Sequence, residues 1–329
     1  MGLQVHNLYS GNGSVLMKKV IITGVTGFIG YHLLRELREK GVEVLALCRP
    51  DNKDIDQIKK LDHVHVAACG LEQIRQLPEL CAEREFDAFY HLAWKGASGS
   101  ARGSYRTQLD NVRWTCDCVE TAREMRCGKM IISGTICEKQ CDAILKQSTP
   151  SASAYYLLAK EYAGEMAGTV GNRIGIPVLE CRFYHPVGIF NKKEQIIANT
   201  IQKLRNNEAP QYGLAEGLFD VIDVRDLAHA LYLMGEKNLD GDTYFIGSGT
   251  PRMLREYLET VKDMVNPSAH MQYGAIDTHD LPMQREWLDV SPFQAETGFV
   301  PAYAFPESIR EMLSWLEDEK AYDSKKWLI

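Results

Sequence analysis

The feature that constrains the fold most is a glycine-rich segment near the start of the chain. Residues 23–30 read Thr-Gly-Val-Thr-Gly-Phe-Ile-Gly; they follow a β-branched run and precede apolar residues at helical spacing. Three such glycines permit a tight turn, a close approach of backbone to a pyrophosphate, and close packing of helix on strand. The segment therefore predicts a dinucleotide-binding loop with these cofactor contacts: Gly24, Thr26, Gly27, Phe28, Ile29 and Gly30.

The segments after this loop alternate between strand-like and helix-like patterns. Apolar or β-branched runs occur at 42–47, 63–68, 88–92, 130–133 and 177–183, and helical spacing occurs between them. Such alternation is typical of a doubly wound parallel sheet with right-handed crossovers. After residue 185 the segments become shorter and mixed. The pattern predicts an α/β protein whose first half forms the sheet.

Composition argues against several other classes of protein. The chain has 37 Lys and Arg against 44 Asp and Glu, which does not favour binding to nucleic acid or to an anionic membrane surface. No apolar run reaches the roughly 20 residues of a membrane span. Nine scattered cysteines without paired Cys-x-x-Cys units favour reduced thiols in a cytoplasmic protein, with no metal site. Residues 1–16 are polar and lack a secretory pattern, so 1–17 are expected to form a disordered extension.

The end of the second predicted strand bears on the choice of cofactor. Dinucleotide-binding proteins place a carboxylate there, about 20 residues after the glycine loop, to bind the ribose of NAD. This chain has Cys48-Arg49-Pro50 instead. Arg49 can pair with a 2′-phosphate, which favours NADP. The alternative is that Asp51 or Asp54 turns back to the ribose of NAD.

Tyr156 and Lys160 lie one helical turn apart and are the leading catalytic candidates. A free tyrosine has a pKa near ~10, and a nearby ammonium group lowers it. Such a tyrosine can exchange a proton with an alcohol or sugar oxygen while a hydride moves to or from a nicotinamide. Ser133-Gly134-Thr135 ends an earlier predicted strand, at the edge where doubly wound sheets bind ligands. Tyr322 and Lys326 have the same spacing, but too little chain follows to build a site.

Together these features resemble the extended short-chain dehydrogenases/reductases, in their NAD-dependent epimerase/dehydratase branch. The resemblance spans residues 18–318 and is carried by these segments: 23–30, 87–93, Asn111, 133–135, Tyr156 with Lys160, 182–188, 223–226, 289–291 and 297–301. It implies a Rossmann domain of residues 18–185 plus 220–247. A smaller mixed α/β substrate-binding domain of residues 186–219 plus 248–329 would cover the crevice.

The resemblance also implies roles for single residues. Tyr156 would be the acid/base, Lys160 would bond the nicotinamide ribose and lower the tyrosine pKa, and Thr135 would hold the substrate oxygen. Three further cofactor contacts are implied: Leu92, Ala93 and Asn111. Because members mostly act on nucleotide-linked sugars and commonly form dimers through the helices that carry Asn111 and Tyr156, a nucleotide-sugar substrate and a homodimer are expected.

Several positions depart from the family pattern. The ribose carboxylate is missing at Cys48, and the third strand ends in Ala68-Cys69-Gly70 rather than Gly-Asp, so adenine recognition must differ. His185 replaces the usual asparagine; it is either a substrate residue or a buried structural histidine. Trp94 follows Ala93 and either lines the substrate side or packs in the interior.

Another departure concerns the reaction. Sugar-nucleotide 4,6-dehydratases carry an acid two positions after the catalytic threonine, whereas Thr135 is followed by Ile136 and Cys137. A dehydratase is therefore disfavoured. The leading hypothesis is reduction of a keto-sugar nucleotide by NADP(H), and the alternative is a C4-type epimerase that oxidises the sugar transiently. A non-catalytic NAD(P)-sensing regulator is a third hypothesis; it predicts loss of the Tyr156–Lys160 pair, and both residues are present.

Overall fold

The computed structural model describes residues 17–191, 195–277, 281–319 and 322. The expected extension 1–17 lies outside the described residues except for Met17, which is buried and accepts a hydrogen bond from the Tyr90 hydroxyl at 3.7 Å. The strands are β1 Lys19–Thr23, β2 Glu43–Cys48, β3 Val64–Ala68, β4 Ala88–His91, β5 Lys129–Thr135, β6 Val178–Phe183, β7 His185–Val187, β8 Leu218–Phe219, β9 Val221–Asp223, β10 Thr243–Ile246 and β11 Arg252–Met253.

The helices alternate with these strands in the first half of the chain. They are α1 Phe28–Glu39, α2 Ile55–Ile58, α3 Leu77–Leu80, α4 Tyr105–Glu124, α5 Cys141–Leu145, α6 Ala154–Ile174, α7 Ile196–Arg205, α8 Val224–Glu236, α9 Leu254–Val265, α10 Ser291–Thr297 and α11 Phe305–Glu317. Short 3₁₀ turns at Ser100–Gly103 and Ile136–Gln140 border the crevice described below. No helix among the described residues is long and apolar enough to cross a membrane.

Seven strands form one parallel sheet in the order β10-β6-β5-β4-β1-β2-β3. Strand β1 pairs with β2 on one side and with β4 on the other, so the chain order reverses there. Ligands of doubly wound sheets bind beside the carboxyl ends of the strands at this reversal. The predicted Rossmann-type α/β fold is confirmed.

Helices cover both faces of the sheet, which is why its strands read as nearly continuous apolar runs. One apolar cluster packs α1 and α8 against one face. A second packs α4 and α6 against the other. Strand β10, from the second half of the chain, adds the seventh strand at the sheet edge.

A third apolar cluster gathers side chains from α7, β9, α9 and α11. It lies apart from the two clusters on the sheet and contains the short pair β7–β9 at its border. The proposed division into two domains, at residues 186–219 and 248–329, follows this cluster and stays a prediction.

Candidate active site

The glycine loop connects β1 to α1 and touches the end of β4. Gly24 has a φ of +77°, and a Cβ there would lie 2.7 Å from the amide nitrogen of Ala93. A Cβ on Gly30 would lie 2.1 Å from the carbonyl oxygen of Gly24. Because both sites are closed to a side chain, the loop can pass close beneath β4 only with glycine at these positions. This contact brings Leu92 and Ala93, two predicted cofactor contacts, beside the loop; the Ala93 amide donates to Thr23 Oγ1 at 3.3 Å.

Helix α1 begins at this loop without a capping side chain. Its N-cap is Gly27, no side chain accepts from the first amides, and no acidic residue lies in the first turn. Free amides at a helix N-terminus attract an anion such as a pyrophosphate. Thr26 Oγ1 accepts a hydrogen bond of 3.2 Å from Asn52, and Phe28 and Ile29 are partly buried in the first turn.

The far end of the groove lies at the end of β2. Cys48 is buried, and burial raises the pKa of its thiol to about 11. The Arg49 side chain is 72% exposed and lies 3.8 Å from the Asp51 carboxylate. Cys69, after β3, donates through sulfur to the Gly70 carbonyl at 3.6 Å. The structure therefore brings a cation and a carboxylate together where the ribose carboxylate of NAD-binding proteins stands.

Thr135, Tyr156 and Lys160 come from β5 and α6. Thr135 ends β5 and is 8% exposed; its Oγ1 accepts a hydrogen bond of 3.4 Å from the Cys137 amide. Lys160 Nζ donates to the carbonyl and hydroxyl oxygens of Ser133 at 2.5 and 3.3 Å. The carboxyl end of β5 and one face of α6 thus place the three predicted catalytic residues in one region of the crevice.

Tyr156 is enclosed by two residues from the loop between β4 and α4. The Arg102 guanidinium carbon lies 3.7 Å from the centre of its ring, and Trp94 contacts it edge-on with the ring centres 6.0 Å apart. Burial raises the pKa of Tyr156 to about 12, which the charge of Arg102 opposes. In this structure Arg102 supplies the largest effect that lowers the Tyr156 pKa.

Lys160 lies against the other side of the same loop. Its Nζ is 3.9 Å from the centre of the Trp94 ring, a cation–π contact. Burial lowers the pKa of Lys160, while Glu138 and Glu180 oppose this shift. Trp94, whose role the sequence leaves open, therefore touches both members of the predicted catalytic pair.

The loop between β4 and α4 is held by two buried side chains on α4. Gln108 Oε1 accepts from the Trp94 indole at 2.9 Å, and Gln108 Nε2 donates to the carbonyl oxygens of Gly96 and Ala101 at 3.1 and 3.2 Å. Asn111 accepts from the Lys95 amide at 3.0 Å and donates to its carbonyl at 2.8 Å.

Asn111 supports this loop with both of its polar groups. Its side chain is 1% exposed, and both its amide nitrogen and its oxygen bond to the loop. Its role as a cofactor contact stays a prediction.

His185 begins β7 at the border of the third cluster. Its ring stacks on Phe219 at 4.2 Å between centres, with an angle of 22°. Burial lowers its pKa to about 3, and the charge of Arg102 lowers it further. The imidazole is therefore neutral at physiological pH, and it lies within electrostatic range of the loop that encloses Tyr156.

Comparison with known proteins shows the family of the chain. The model of the NAD dependent epimerase/dehydratase family matches residues 20–247. The chain belongs to this family. A CDP-abequose synthase from Salmonella muenchen is 22% identical over 303 residues, covering 91% of this chain and 98% of the relative.

Two solved structures are similar to this family member in fold. A dTDP-glucose 4,6-dehydratase from Bacillus anthracis in complex with NAD has a TM-score of 0.75 and 17% identity, covering 93% of this chain and 98% of the other. A UDP-glucuronic acid 4-epimerase from Bacillus cereus in complex with NAD has a TM-score of 0.73 and 14% identity, covering 94% and 99%.

The residues present fit the dinucleotide that the family name implies. The uncapped start of α1 offers amides to a pyrophosphate, and no acid in the first turn repels it. A Cβ on Gly27 would have one neighbour within 4 Å, the Gly24 carbonyl oxygen at 3.2 Å. The groove over the loop can therefore admit phosphate oxygens close to the backbone.

Behind Thr135 lies a buried ionic cluster that the sequence did not predict. Arg182 Nε lies 3.0 Å from Glu138 and 2.8 Å from Glu180, and Arg182 Nη2 lies 3.3 Å from Glu161. Glu138 also accepts from the Thr135 amide at 2.6 Å. The sequence feature that could have indicated this cluster is the pair Glu180 and Arg182, two charged residues that share one face of the otherwise buried strand β6.

Glu138 is the nearest acid after Thr135 in the chain, but it does not open into the crevice. Its side chain is 0% exposed and lies between the Thr135 amide and Arg182. Burial raises its pKa, and the nearby Glu180 adds to the effect. The residue anchors the end of β5 to β6.

Among the described residues, no group of three or more acidic, cysteine or histidine side chains could hold a metal ion.

Proposed function

We propose that the protein is an NADP(H)-dependent reductase of a keto-sugar nucleotide. The observation that carries the proposal is the convergence of Tyr156, Lys160 and Thr135 at the carboxyl edge of the sheet, next to an uncapped helix at the glycine loop. The names of similar proteins, which include a CDP-abequose synthase and a UDP-glucuronic acid 4-epimerase, support a nucleotide-linked sugar as substrate.

Each side chain of the site has its own role in the proposed reaction. When bound, the nicotinamide supplies the hydride. Tyr156 donates the proton to the sugar oxygen, and Thr135 holds that oxygen by a hydrogen bond. Lys160, fixed by Ser133, would bond the ribose of the nicotinamide. Arg102 helps because its charge favours the phenolate that remains after proton transfer.

The preference for NADP(H) rests on the end of β2. No carboxylate stands at Cys48 to repel a 2′-phosphate, and the exposed Arg49 can pair with one. The Asp51 carboxylate 3.8 Å away favours the alternative cofactor, NAD, because it would repel the phosphate. With tightly held NAD, the same catalytic residues would support a C4-type epimerase.

The position of Glu138 also disfavours a dehydratase. A dehydratase needs an acid that reaches the leaving hydroxyl, and Glu138 is enclosed by Thr135 and Arg182. The proposal therefore keeps the two reactions that need only the tyrosine as acid/base.

The deciding experiment identifies the cofactor and then the reaction. Cofactor retained by the purified protein is released and identified, and the emptied protein is titrated with NADPH and NADH. A reductase prefers exchangeable NADPH and consumes it with a keto-sugar nucleotide. Retained NAD with exclusion of NADPH, together with sugar interconversion and no net cofactor use, would instead establish the epimerase.

We also propose a homodimer that works in the cytoplasm. Packed helices α4 and α6 expose five large apolar side chains to solvent: Tyr105, Leu109, Tyr155, Tyr162 and Met166, each 45–63% exposed. A second copy that packs on this surface would cover them.

All nine cysteines are free thiols, as expected for a reducing compartment such as the cytoplasm.

A further inference from the structure

A guanidinium group lies inside the proposed active site without an acidic partner. Arg102 is partly exposed, its carbon Cζ is 3.7 Å from the centre of the Tyr156 ring, and its Nη1 donates to the Ala97 carbonyl at 2.7 Å. In the part of the chain that the structure describes, no carboxylate pairs with it. The group is held in place by the loop, and its charge is not neutralised there.

The charge of Arg102 reaches several side chains of the site. Burial is the main cause of the lowered pKa of Lys160 and of His185, and Arg102 adds to both shifts. Arg102 also opposes the rise that burial causes in the pKa of Tyr156. The guanidinium therefore lies within electrostatic range of three residues from α6 and β7, where a sugar would meet the acid/base.

Glu138 is not available to pair with Arg102. Glu138 lies within range of Tyr156, but its carboxylate is enclosed by the Thr135 amide and Arg182. Arg102 and Lys160 thus leave an excess of positive charge on the crevice side. A planar guanidinium binds a carboxylate through two parallel hydrogen bonds, so an acidic ligand matches this group best.

We propose that Arg102 recognises a carboxylate on the sugar, so that the substrate is a nucleotide-linked uronic acid or a keto derivative of one. The inference rests on the proposed function, because it takes Tyr156 as the acid/base. The Tyr156 hydroxyl must touch the reacting oxygen of the sugar, and Arg102 lies against the ring of that tyrosine. The recognised anion is therefore on the sugar, while the diphosphate lies beyond it.

The test compares pairs of nucleotide sugars that differ only in the carboxylate. Glucuronic acid and glucose, each linked in turn to UDP, CDP, GDP and dTDP, are titrated calorimetrically into the cofactor-loaded protein. We expect at least one nucleotide for which the acidic sugar binds ten-fold or more tightly than the neutral one. Arg102→Met should bring the two affinities to within about two-fold. Arg102→Lys, which keeps the charge, should retain part of the preference.

Arg106→Met is the matched control. Arg106 follows on α4 and stacks on the exposed Tyr105 at 4.9 Å, so its loss removes an arginine–tyrosine contact outside the site. It should leave the preference for the acidic sugar intact. Thermal melting of each variant confirms that it is folded before it is titrated.

Each other outcome contradicts one of the two proposals. Equal binding of acidic and neutral sugars by the unmodified protein overturns the inference and leaves the proposed function standing. An equal weakening of both sugars in Arg102→Met also overturns it, because Arg102 would then serve only Tyr156 or the loop. Failure of every nucleotide sugar to bind overturns the proposed function itself, and the inference with it.

Discussion

Gln108 Oε1 accepts a hydrogen bond of 2.9 Å from the indole nitrogen of Trp94, and the same amide binds the loop carbonyls on its other side. Gln108 is 1% exposed, and together with Asn111 it fixes the loop that places Trp94 and Arg102 around Tyr156. The site is therefore built by the β4–α4 loop as much as by α6.

Replacing Gln108 should disturb both stability and the site. Gln108→Leu removes the acceptor of the Trp94 indole and the donor to the carbonyls of Gly96, Ala101 and Arg102, and we expect unfolding to need about 1–3 kcal/mol less free energy. Activity should fall further than this loss of stability explains, because Arg102 and Trp94 lose their position. Urea unfolding and steady-state kinetics measure the two effects. Arg123→Ala, at an exposed position near the end of α4 and outside the proposed interface, should change neither by a comparable amount.

Removal of the Tyr156 hydroxyl should stop the reaction without preventing cofactor binding. General acid–base catalysis contributes roughly 10²–10⁴-fold, so Tyr156→Phe should lower kcat by that factor. Fluorescence titration with NADPH should give a Kd close to that of the unmodified protein. Tyr155→Phe is the control, because Tyr155 is 45% exposed and points away from the loop onto Tyr105. A Tyr156→Phe protein with full kcat would disprove the assigned acid/base.

A methyl group at Gly24 should abolish cofactor binding. The Cβ would lie 2.7 Å from the Ala93 amide nitrogen, and the φ of +77° is unfavourable for alanine. We expect Gly24→Ala to lower the melting temperature and to bind neither NADPH nor NADH measurably. Gly168→Ala is the matched control on α6, where a Cβ meets nothing within 4 Å. Alanine there should stabilise the helix by about 0.5–1 kcal/mol and leave cofactor binding unchanged.

Acid should destabilise the protein through its buried histidines. Burial lowers the pKa of His91 and of His185 to about 3, below the value of about 6.5 expected in the unfolded chain. The unfolded state therefore binds more protons between these values, and stability is lost as the pH falls from about 6.5 towards 3. Each such histidine contributes a slope of about 1.4 kcal/mol per pH unit.

His185→Phe tests this slope, because phenylalanine keeps the stacking on Phe219 and removes the titrating group. The free energy of unfolding, measured by urea between pH 6.5 and 4, should depend on pH less steeply, by about one proton. His270→Gln, at an exposed position, is the control. An unchanged slope in His185→Phe would contradict the assignment.

A charge in the apolar surface of α4 and α6 should separate the proposed dimer. Leu109 is 63% exposed in the second turn of α4, and a glutamate there would be buried without a partner in the interface. We expect light scattering after gel filtration to give twice the chain mass for the unmodified protein and the chain mass for Leu109→Glu. Leu80→Glu, 55% exposed on α3 outside this surface, should remain dimeric.

The sequence alone indicated the parts of the site that depend on local pattern. The glycine loop is recognisable because its turn, its close approach to Ala93 and its helix packing each require glycine at a fixed position. Tyr156 and Lys160 share one helical face, so their spacing predicted their proximity. The alternation of apolar runs predicted the sheet, since a strand buried on both faces must be apolar throughout.

Tertiary structure decided which residues surround this pattern. Gln108, on the next helix, donates to the Arg102 carbonyl at 3.3 Å and so helps to hold Arg102 against Tyr156 on α6. Asn111 supports that loop through the backbone of Lys95. Charge and polarity in a sequence do not reveal partners across a fold, because a hydrogen bond or ion pair depends on distances that packing sets. The predicted catalytic pair could therefore be recognised from its local spacing. The charges around it come from residues that are far away in the chain.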